Sequence, residues 1–332
     1  MEARRTEEGA LRLGGNARER FYDARGYGSP DGDGLVLAPV EAAHLLYRGD
    51  IDAIAGDSLY SFLAEMPGLP GRFLVYKDLR DRGFYLAPAS RWLDEPTSCD
   101  LVVFPRGQGP WGEQVESKIA VVGERDTVRV GRLGDRTLAR VDEESGISYL
   151  DSSPTPIEGA TGVELPAAIP AMLFGDRALV PDAPPALHQE GFYGQPLDER
   201  DRPALQLSLL EACYLAEGPL ALAPELVTQR GREVEGERFE RRLQVYTTLR
   251  TAGVVPKTGF KFGADFRTYA EVDSVDSLGH SELLVRVVTT DHVFSPRDLS
   301  LDVRLAHGVR KRMVYALAGE RTRFVALERL TP

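Results

Sequence analysis

The chain repeats itself, and no other feature limits its fold as strongly, because each copy must contain a unit able to build the same core. Residues 75–83 read VYKDLRDRG and residues 245–253 read VYTTLRTAG, with Val, Tyr, Leu, Arg and Gly at the same five places. VEAAHLL (40–46) and LEACYLA (210–216) align at the same shift, sharing Glu41/Glu211, Ala42/Ala212 and Leu45/Leu215. Tyr27-Gly28 is echoed by Tyr193-Gly194, CDLVVF (99–104) faces ADFRTY (264–269), and QVESKIAVV (114–122) faces HSELLVRVV (280–288). Chance gives one such match, not all of them in one order.

Each repeat, about 160 residues long, places helices before strands. A Pro- and Gly-punctuated segment leads to an amphipathic helix (39–48 and 205–216), then to a second helix (72–82 and 239–252) ending at Gly83 or Gly253, the usual C-terminal punctuation. LVVF, KIAVV and TLARV follow as strands in the first copy, and FRTYAEV, ELLVRVV and RFVAL in the second. Helices grouped ahead of strands predict an α+β fold, a tandem repeat of a two-part unit. The boundaries fall at 1–71 and 152–238 for the small N-terminal parts, and at 72–151 and 239–332 for the parts that follow them. The join SSPTPIEGATG (152–162) has the composition of a linker.

No apolar run approaches the roughly 20 residues of a membrane span, and the N-terminus lacks a secretory signal, so a soluble cytoplasmic protein is expected. Cys99 and Cys213, the two cysteines, supply neither a disulfide framework nor a thiolate zinc site. The net charge of -11 alone argues against a polyanionic partner. It is unevenly spread: residues 1–238 carry 25 basic and 40 acidic residues, and residues 239–332 carry 15 and 11. The basic excess lies in the last quarter. Only five basic residues are lysines, and this arginine bias with the acidic surplus suggests a high-GC genome and a salty cytoplasm.

The copies differ in chemistry. Tyr269 stands opposite Phe104, which keeps the ring and loses the phenol, and His280 stands opposite Gln114. The basic cluster RLAHGVRKR (304–312), with Lys311, has RVGRLGDRT (129–137) as its nearest counterpart, without a lysine. Three groups able to handle protons or negative charge vanish together, the pattern of one working copy and one degenerate scaffold copy. Read one by one, they are a surface tyrosine, a capping histidine and a solvated lysine.

VYTTLRTAGVVPKTGFKFGADFRTYAEV, GHSELLVRVV and DVRLAHGVRKRMVYAL together resemble the catalytic domain of archaeal tRNA-splicing endonucleases (tRNA-intron lyases), densely over 240–332. The degraded first copy resembles the subtype in which each chain holds two units and forms a homodimer. The resemblance implies an RNA endonuclease that cuts precursor tRNA at intron–exon junctions in a bulge–helix–bulge, without metal or cofactor. It puts the catalytic triad on Tyr269, His280 and Lys311, and bulge-clamping arginines on Arg304 and on Arg329 or Arg323.

The chemistry suits these groups. Attack of a 2′-hydroxyl on the adjacent phosphorus leaves a 2′,3′-cyclic phosphate and a 5′-hydroxyl, so one proton is taken, one is given and negative charge must be stabilised. Histidine, with an unperturbed pKa of about 6.5, suits the acid role of His280. Tyr269 serves as base only with cations nearby, and Lys311 is such a cation and a stabiliser of the phosphorane. His44 and His188 read as structural and His292 as an exposed loop residue. His307, four residues before Lys311 on the expected helix face, competes with His280. Arg304 and Arg329 suit stacking on an unstacked base, with phosphate contact or a surface ion pair as the alternative. Two scissile sites need two active units, which a homodimer supplies. The acidic segments GERD (123–126) and DEES (142–145) are either docking loops for a partner's basic surface or solvated turns.

Two other readings stay open. A metal-dependent nuclease would use Asp265, Glu271, Asp273 and Asp276, whose spacing is not diagnostic. A non-catalytic RNA-binding or assembly subunit would need none of the triad. A Gly-rich phosphate loop between strand and helix is absent from the sequence.

Overall fold

Helix α4 (Leu209–Ala216) shows why the expected elements form. Ser208 caps it: Glu211 N–H donates to Ser208 Oγ at 3.2 Å, and Ser208 N–H donates to the Glu211 carboxylate at 2.9 Å, a reciprocal box. The corresponding helix α1 (Pro39–Tyr47) has Pro39 in its first turn and half of that box, with Ala38 N–H donating to Glu41 at 2.8 Å. The structure, a computed structural model, describes residues 1–7, 9–93, 99–112 and 114–332. It divides into two units: Met1–Ser153 with Val293–Ser300 and Glu328–Pro332, and Pro154–His292 with Leu301–Leu327.

In the first unit, a sheet of five short strands pairs in the order Ser29–Asp31, Gly34–Leu37, Leu11–Leu13, Glu2–Arg5 and Ala53–Ile54; four of them precede α1, and the last lies between α1 and α2 (Leu59–Glu65), which α3 (Leu69–Asp81) follows. The strands that follow are β1 (Leu86–Pro88), β2 (Leu101–Val103), β3 (Ser117–Gly123), β4 (Arg136–Val141) and β5 (Ile147–Pro154). They pair in sequence order, antiparallel except for parallel β3–β4. The core gathers Phe21, Tyr27, Leu45, Phe62 and Tyr76.

The second unit begins with a four-stranded sheet, then α4, α5 (Pro224–Glu235) and α6 (Glu237–Thr251). After them come β6 (Val255–Thr258), β7 (Phe266–Tyr269), β8 (Leu283–Thr289), α7 (Pro296–Gly308), which belongs to this unit from Leu301 onward, β9 (Arg312–Ala318) and β10 (Arg323–Leu330), which belongs to it up to Leu327. Again all neighbours are antiparallel except one parallel pair, β8–β9. A parallel pair needs a crossover, and α7 supplies it. Leu205, Phe239, Tyr246, Val285 and Val314 belong to this unit's own core.

Side-chain contacts at the matched positions are similar in the two units. Arg80 stacks 4.1 Å from the Tyr27 ring centre and donates to Tyr76 Oη and to the carbonyls of Arg25 and Gly26. Arg250 stacks 3.8 Å from Tyr193 and donates to Tyr246 Oη and the Gly191 carbonyl. Glu41 accepts from Gly28 N–H and a bidentate Arg91, while Glu211 accepts from Gly194 N–H and Lys257.

Three expectations need correction. Helices α2 and α5 lie between the two anticipated in each copy. Gly236 ends α5 at φ 62° and ψ −147°, a conformation for which a side chain is ill suited, and so separates α5 from α6. The join at 152–162 is not a loose linker: Ser152–Pro154 finish β5, and Gly159, Ala160 and Thr161 donate to the carbonyls of Ala252, Ala270 and Gly253. Strand β9 was not anticipated, because RMVYALA is buried almost throughout and shows no alternation.

Candidate active site

Register carries Tyr269, His280 and Lys311 to one end of the second unit's sheet. Thr268 of β7 pairs with Leu283 of β8, and Leu283 pairs with Arg312 of β9. Since β7 runs opposite to β8 and β9, Tyr269 leaves the row where β7 ends, while Lys311 and the 280–282 segment enter it where β9 and β8 begin. Residues 42 positions apart thus meet without any helix having to carry them together.

The segment before β8 is pinned on both sides. Glu282 N–H donates to the Thr268 carbonyl at 3.0 Å, and Arg312 N–H donates to the Glu282 carbonyl at 3.0 Å. Lys311 Nζ donates to the carbonyl of Ser281, the residue after His280. Partial burial, and then the Arg267 guanidinium, lower the pKa of that ammonium, and the Glu282 carboxylate works against both.

Lys311 reaches this position through the way α7 ends. Lys311 N–H donates to the Ala306 carbonyl at 2.9 Å and Arg310 N–H to the His307 carbonyl at 3.0 Å, with Arg310 left-handed at φ 55°. These are the two bonds of a Schellman stop. The expected common face of His307 and Lys311 is therefore corrected: the helix is over at Gly308, and the chain reverses before Lys311. His307 is exposed on the last turn, and His280 is exposed in the pinned segment.

Tyr269 is 7% exposed, its ring set edge-on to Phe192 at 5.5 Å between centroids. The Arg267 guanidinium lies 5.7 Å from the tyrosine ring centre. Among the described residues, no hydrogen bond joins the side chains of Tyr269, His280 and Lys311. Arg304 projects from the exposed side of α7, whose opposite side buries Leu299, Val303 and Ala306. Arg323 and Arg329 lie at opposite ends of β10: Arg323 pairs with Leu317, and Arg329 is two positions beyond Leu327, the partner of Met313.

The other histidines separate clearly. His44 is buried and shares a 2.8 Å hydrogen bond with Tyr27 Oη; burial, then Arg80 and Arg48, pull it down to about 4. His188 is buried with Nδ1 2.9 Å from the Tyr193 carbonyl, and His292 is half-buried rather than exposed. Of the acidic residues considered for a metal, Asp265 is buried and engaged by Arg238 at 2.7 Å, Arg242 at 3.0 Å and Val287 N–H at 2.9 Å. Among the described residues no group of three or more His, Cys, Asp or Glu is arranged to hold a metal, and no helix is long and apolar enough to cross a membrane.

Two models of one family match the chain. The tRNA intron endonuclease catalytic C-terminal domain matches residues 239–324, and the N-terminal domain of the same family matches twice, at 6–64 and 169–219. The chain is similar along nearly its whole length to proteins named tRNA-splicing endonuclease. It is 57% identical to that of Natronomonas pharaonis over 331 residues, covering 98% of both chains, and 54% identical to that of Haloarcula marismortui, again covering 98% of both. Against Methanococcoides burtonii the identity is 36%, over 91% of each chain. The chain belongs to the tRNA intron endonuclease family. In this endonuclease, Tyr269, His280 and Lys311 all lie inside the segment matched by the catalytic model.

The first unit of the endonuclease offers a direct comparison. There Val103 precedes Phe104 and pairs with Ser117, three residues after Gln114, just as Thr268 precedes Tyr269 and pairs with Leu283, three after His280. In the parallel pair, Thr137 faces Ile119 as Val314 faces Val285, which sets Gly134 in the place of Lys311. Residues that motif reading overlooked are Arg267 and Glu282. Both stand inside the quoted stretches FRTY and HSE, but a charge within a strand motif does not reveal its partner.

Proposed function

We propose that the chain excises introns from precursor tRNA by cutting the two exon junctions of a bulge–helix–bulge, with Tyr269, His280 and Lys311 as its catalytic groups. The convergence of these three positions at one sheet end supports this reading most strongly. Tyr269, as the base, takes the proton of the 2′-hydroxyl; the 2′-oxygen bonds to phosphorus and the bond to the 5′-oxygen breaks; His280 gives that oxygen its proton. Lys311 neutralises the extra charge on the phosphorane oxygens. The products are a 2′,3′-cyclic phosphate and a 5′-hydroxyl, and no metal takes part.

Register and paired side chains support a tandem duplication with boundaries near 71, 151 and 238, in which the first copy is a scaffold holding Phe104, Gln114 and Gly134 at the corresponding places. A homodimer then supplies two active ends for two junctions. Arg304 and Arg329 stack on unstacked bulge bases, and the β10 register favours Arg329 over Arg323. The decisive experiment is cleavage of a minimal bulge–helix–bulge RNA in excess EDTA with analysis of the ends. Cyclic phosphate and 5′-hydroxyl ends, lost in His280→Ala, are expected. Metal-dependent cleavage, 5′-phosphate ends or full activity of His280→Ala would overturn the mechanism, and a chain that binds the RNA without cutting it would be an assembly subunit.

A further inference from the structure

Strand β7 ends at Tyr269, so the polar groups of the next peptide must find partners outside the ladder. Ala270 finds them on two opposite sides. Its N–H donates to the Glu282 carboxylate at 3.2 Å, and its carbonyl accepts from Ala160 N–H at 2.8 Å. The second partner comes from the segment whose composition reads as a linker. That segment is fixed on each side of Ala160: Gly159 N–H donates to Ala252 O at 2.8 Å, Thr161 N–H to Gly253 O at 2.9 Å, and Thr161 Oγ1 accepts from Val272 N–H at 2.9 Å. Its approach is close enough to exclude any side chain at Gly159, where a Cβ would stand 2.4 Å from Gly253 O and 2.6 Å from Ala270 O.

We propose that Glu282 and the Gly159–Thr161 segment form a two-sided clamp on the Ala270 peptide, and that this clamp sets the position of the Tyr269 ring for proton abstraction. The inference rests on the reading of Tyr269 as the base and deepens it. Glu282 and Thr161 are positioning residues, acting through Ala270 and Val272. A strap that served folding alone would also satisfy these backbone groups, so stability cannot distinguish the two roles. Catalysis can, since a small misplacement of a reacting group lowers the rate without weakening substrate binding.

The test compares Thr161→Val, which keeps the shape and loses the acceptor, and Glu282→Ala with their conservative counterparts Thr161→Ser and Glu282→Gln, in the full chain at pH 7. One hydrogen bond is worth about a five- to tenfold change in rate. The expected result is that Thr161→Val and Glu282→Ala each lower kcat about five- to tenfold with KM within about twofold, that the Ser and Gln variants recover most of the loss, and that the double variant loses less than the product of the two. Unchanged kcat in both single variants, or a loss that follows melting temperature and is not rescued by Ser, would overturn the clamp. Tyr269→Phe is the control for the underlying reading. Should it cleave as well as the parent, Tyr269 is not the base, and the clamp is then judged by the NMR resonances of a 13C-labelled Tyr269 ring. They must shift in Thr161→Val and Glu282→Ala for the clamp to stand, and unshifted resonances overturn it.

Discussion

Replacing Lys257 by Met removes one half of a buried ion pair and so tests how the second unit is built. Lys257 Nζ donates to Glu211 Oε1 at 2.8 Å and to the carbonyls of Phe192 and Gly194, with the two charged side chains 13% and 8% exposed. Burial raises the Glu211 pKa, but the Lys257 ammonium and the N–H groups of Ser208 and Gly194 outweigh it and hold the carboxyl below its ordinary range. Breaking a buried pair from one side costs about 3–5 kcal/mol because an unpaired charge is left behind. Glu211 keeps the Ser208 hydroxyl and two N–H donors, so the loss should sit near the lower figure, about 3 kcal/mol at pH 7. For a unit of this size that is about 6–12 °C in melting temperature. The pH dependence gives the sharper check. A carboxyl whose folded pKa is depressed contributes stability that is complete above its unfolded pKa, about 4.3, and fades as pH falls toward the folded value. Without Lys257 most of that depression is gone, so the gap between variant and parent should narrow as pH falls below about 4.3. Denaturant unfolding at pH 7 and at acid pH measures it. A variant within about 1 kcal/mol of the parent at pH 7, or a gap that stays constant into acid, would refute the pairing as the source of stability.

Four further expectations follow from named contacts. Arg250→Lys keeps the charge but gives up the stack on Tyr193 and the forked donation, and should lose about 2 kcal/mol in denaturant unfolding. Arg310→Gly should be neutral or stabilising by up to about 1 kcal/mol, while Arg310→Val, which tolerates φ 55° poorly, should destabilise the protein and lower kcat by displacing Lys311. Glu282→Gln removes a charge that raises the Lys311 pKa, so the alkaline limb of its pH–rate profile should move to lower pH, and a limb that stays or moves upward contradicts the pairing. Arg304→Ala and Arg329→Ala should raise KM for bulged RNA, whereas Arg323→Ala should leave it near that of the parent, as Michaelis curves will show.

The elements with a local cause were legible in the sequence. Gly253 ends α6, and the matched runs VYKDLRDRG and VYTTLRTAG mark α3 and α6. The candidate site was named in the sequence as residue types but not as an arrangement. Its assembly depends on the register of three strands and on the stop after α7, neither of which leaves a periodic signal. The Schellman stop was hidden because Arg310, not glycine, takes the left-handed position. Strand β9 was hidden by its uniform burial, and the strap at 159–161 by a composition that suits a free linker equally well. The partner of a buried charge was also out of reach: Glu211 stands in the sequence only as the match of Glu41, and its bond to Lys257 spans 46 positions.

The proposed inequality of two copies follows from where each group sits. Arg80 and Arg250 are engaged by paired tyrosines and backbone carbonyls in the core of their units, and Glu41 and Glu211 by buried N–H groups and a cation. Losing any of them strands a buried partner at a cost of a few kcal/mol, a large part of the 5–15 kcal/mol that holds a domain folded. At the sheet end, Lys311 is half-buried on the Ser281 carbonyl. His280 is exposed, and the ring at Tyr269 rather than its hydroxyl fills the space beside Phe192, as the Phe104 ring does 4.8 Å from Trp92. Changing a surface polar group usually moves stability by no more than about 0.5 kcal/mol. Under the proposed duplication, one copy loses its chemistry with little effect on folding but cannot lose its Arg–Tyr and Glu–cation contacts. That asymmetry predicts that Gln114→His, at the exposed position of the first unit's sheet end, leaves stability within about 0.5 kcal/mol of the parent, whereas Gly134→Lys, at φ 98°, destabilises it. A loss above about 2 kcal/mol in Gln114→His, measured by denaturant unfolding, would show that this sheet end is held by packing.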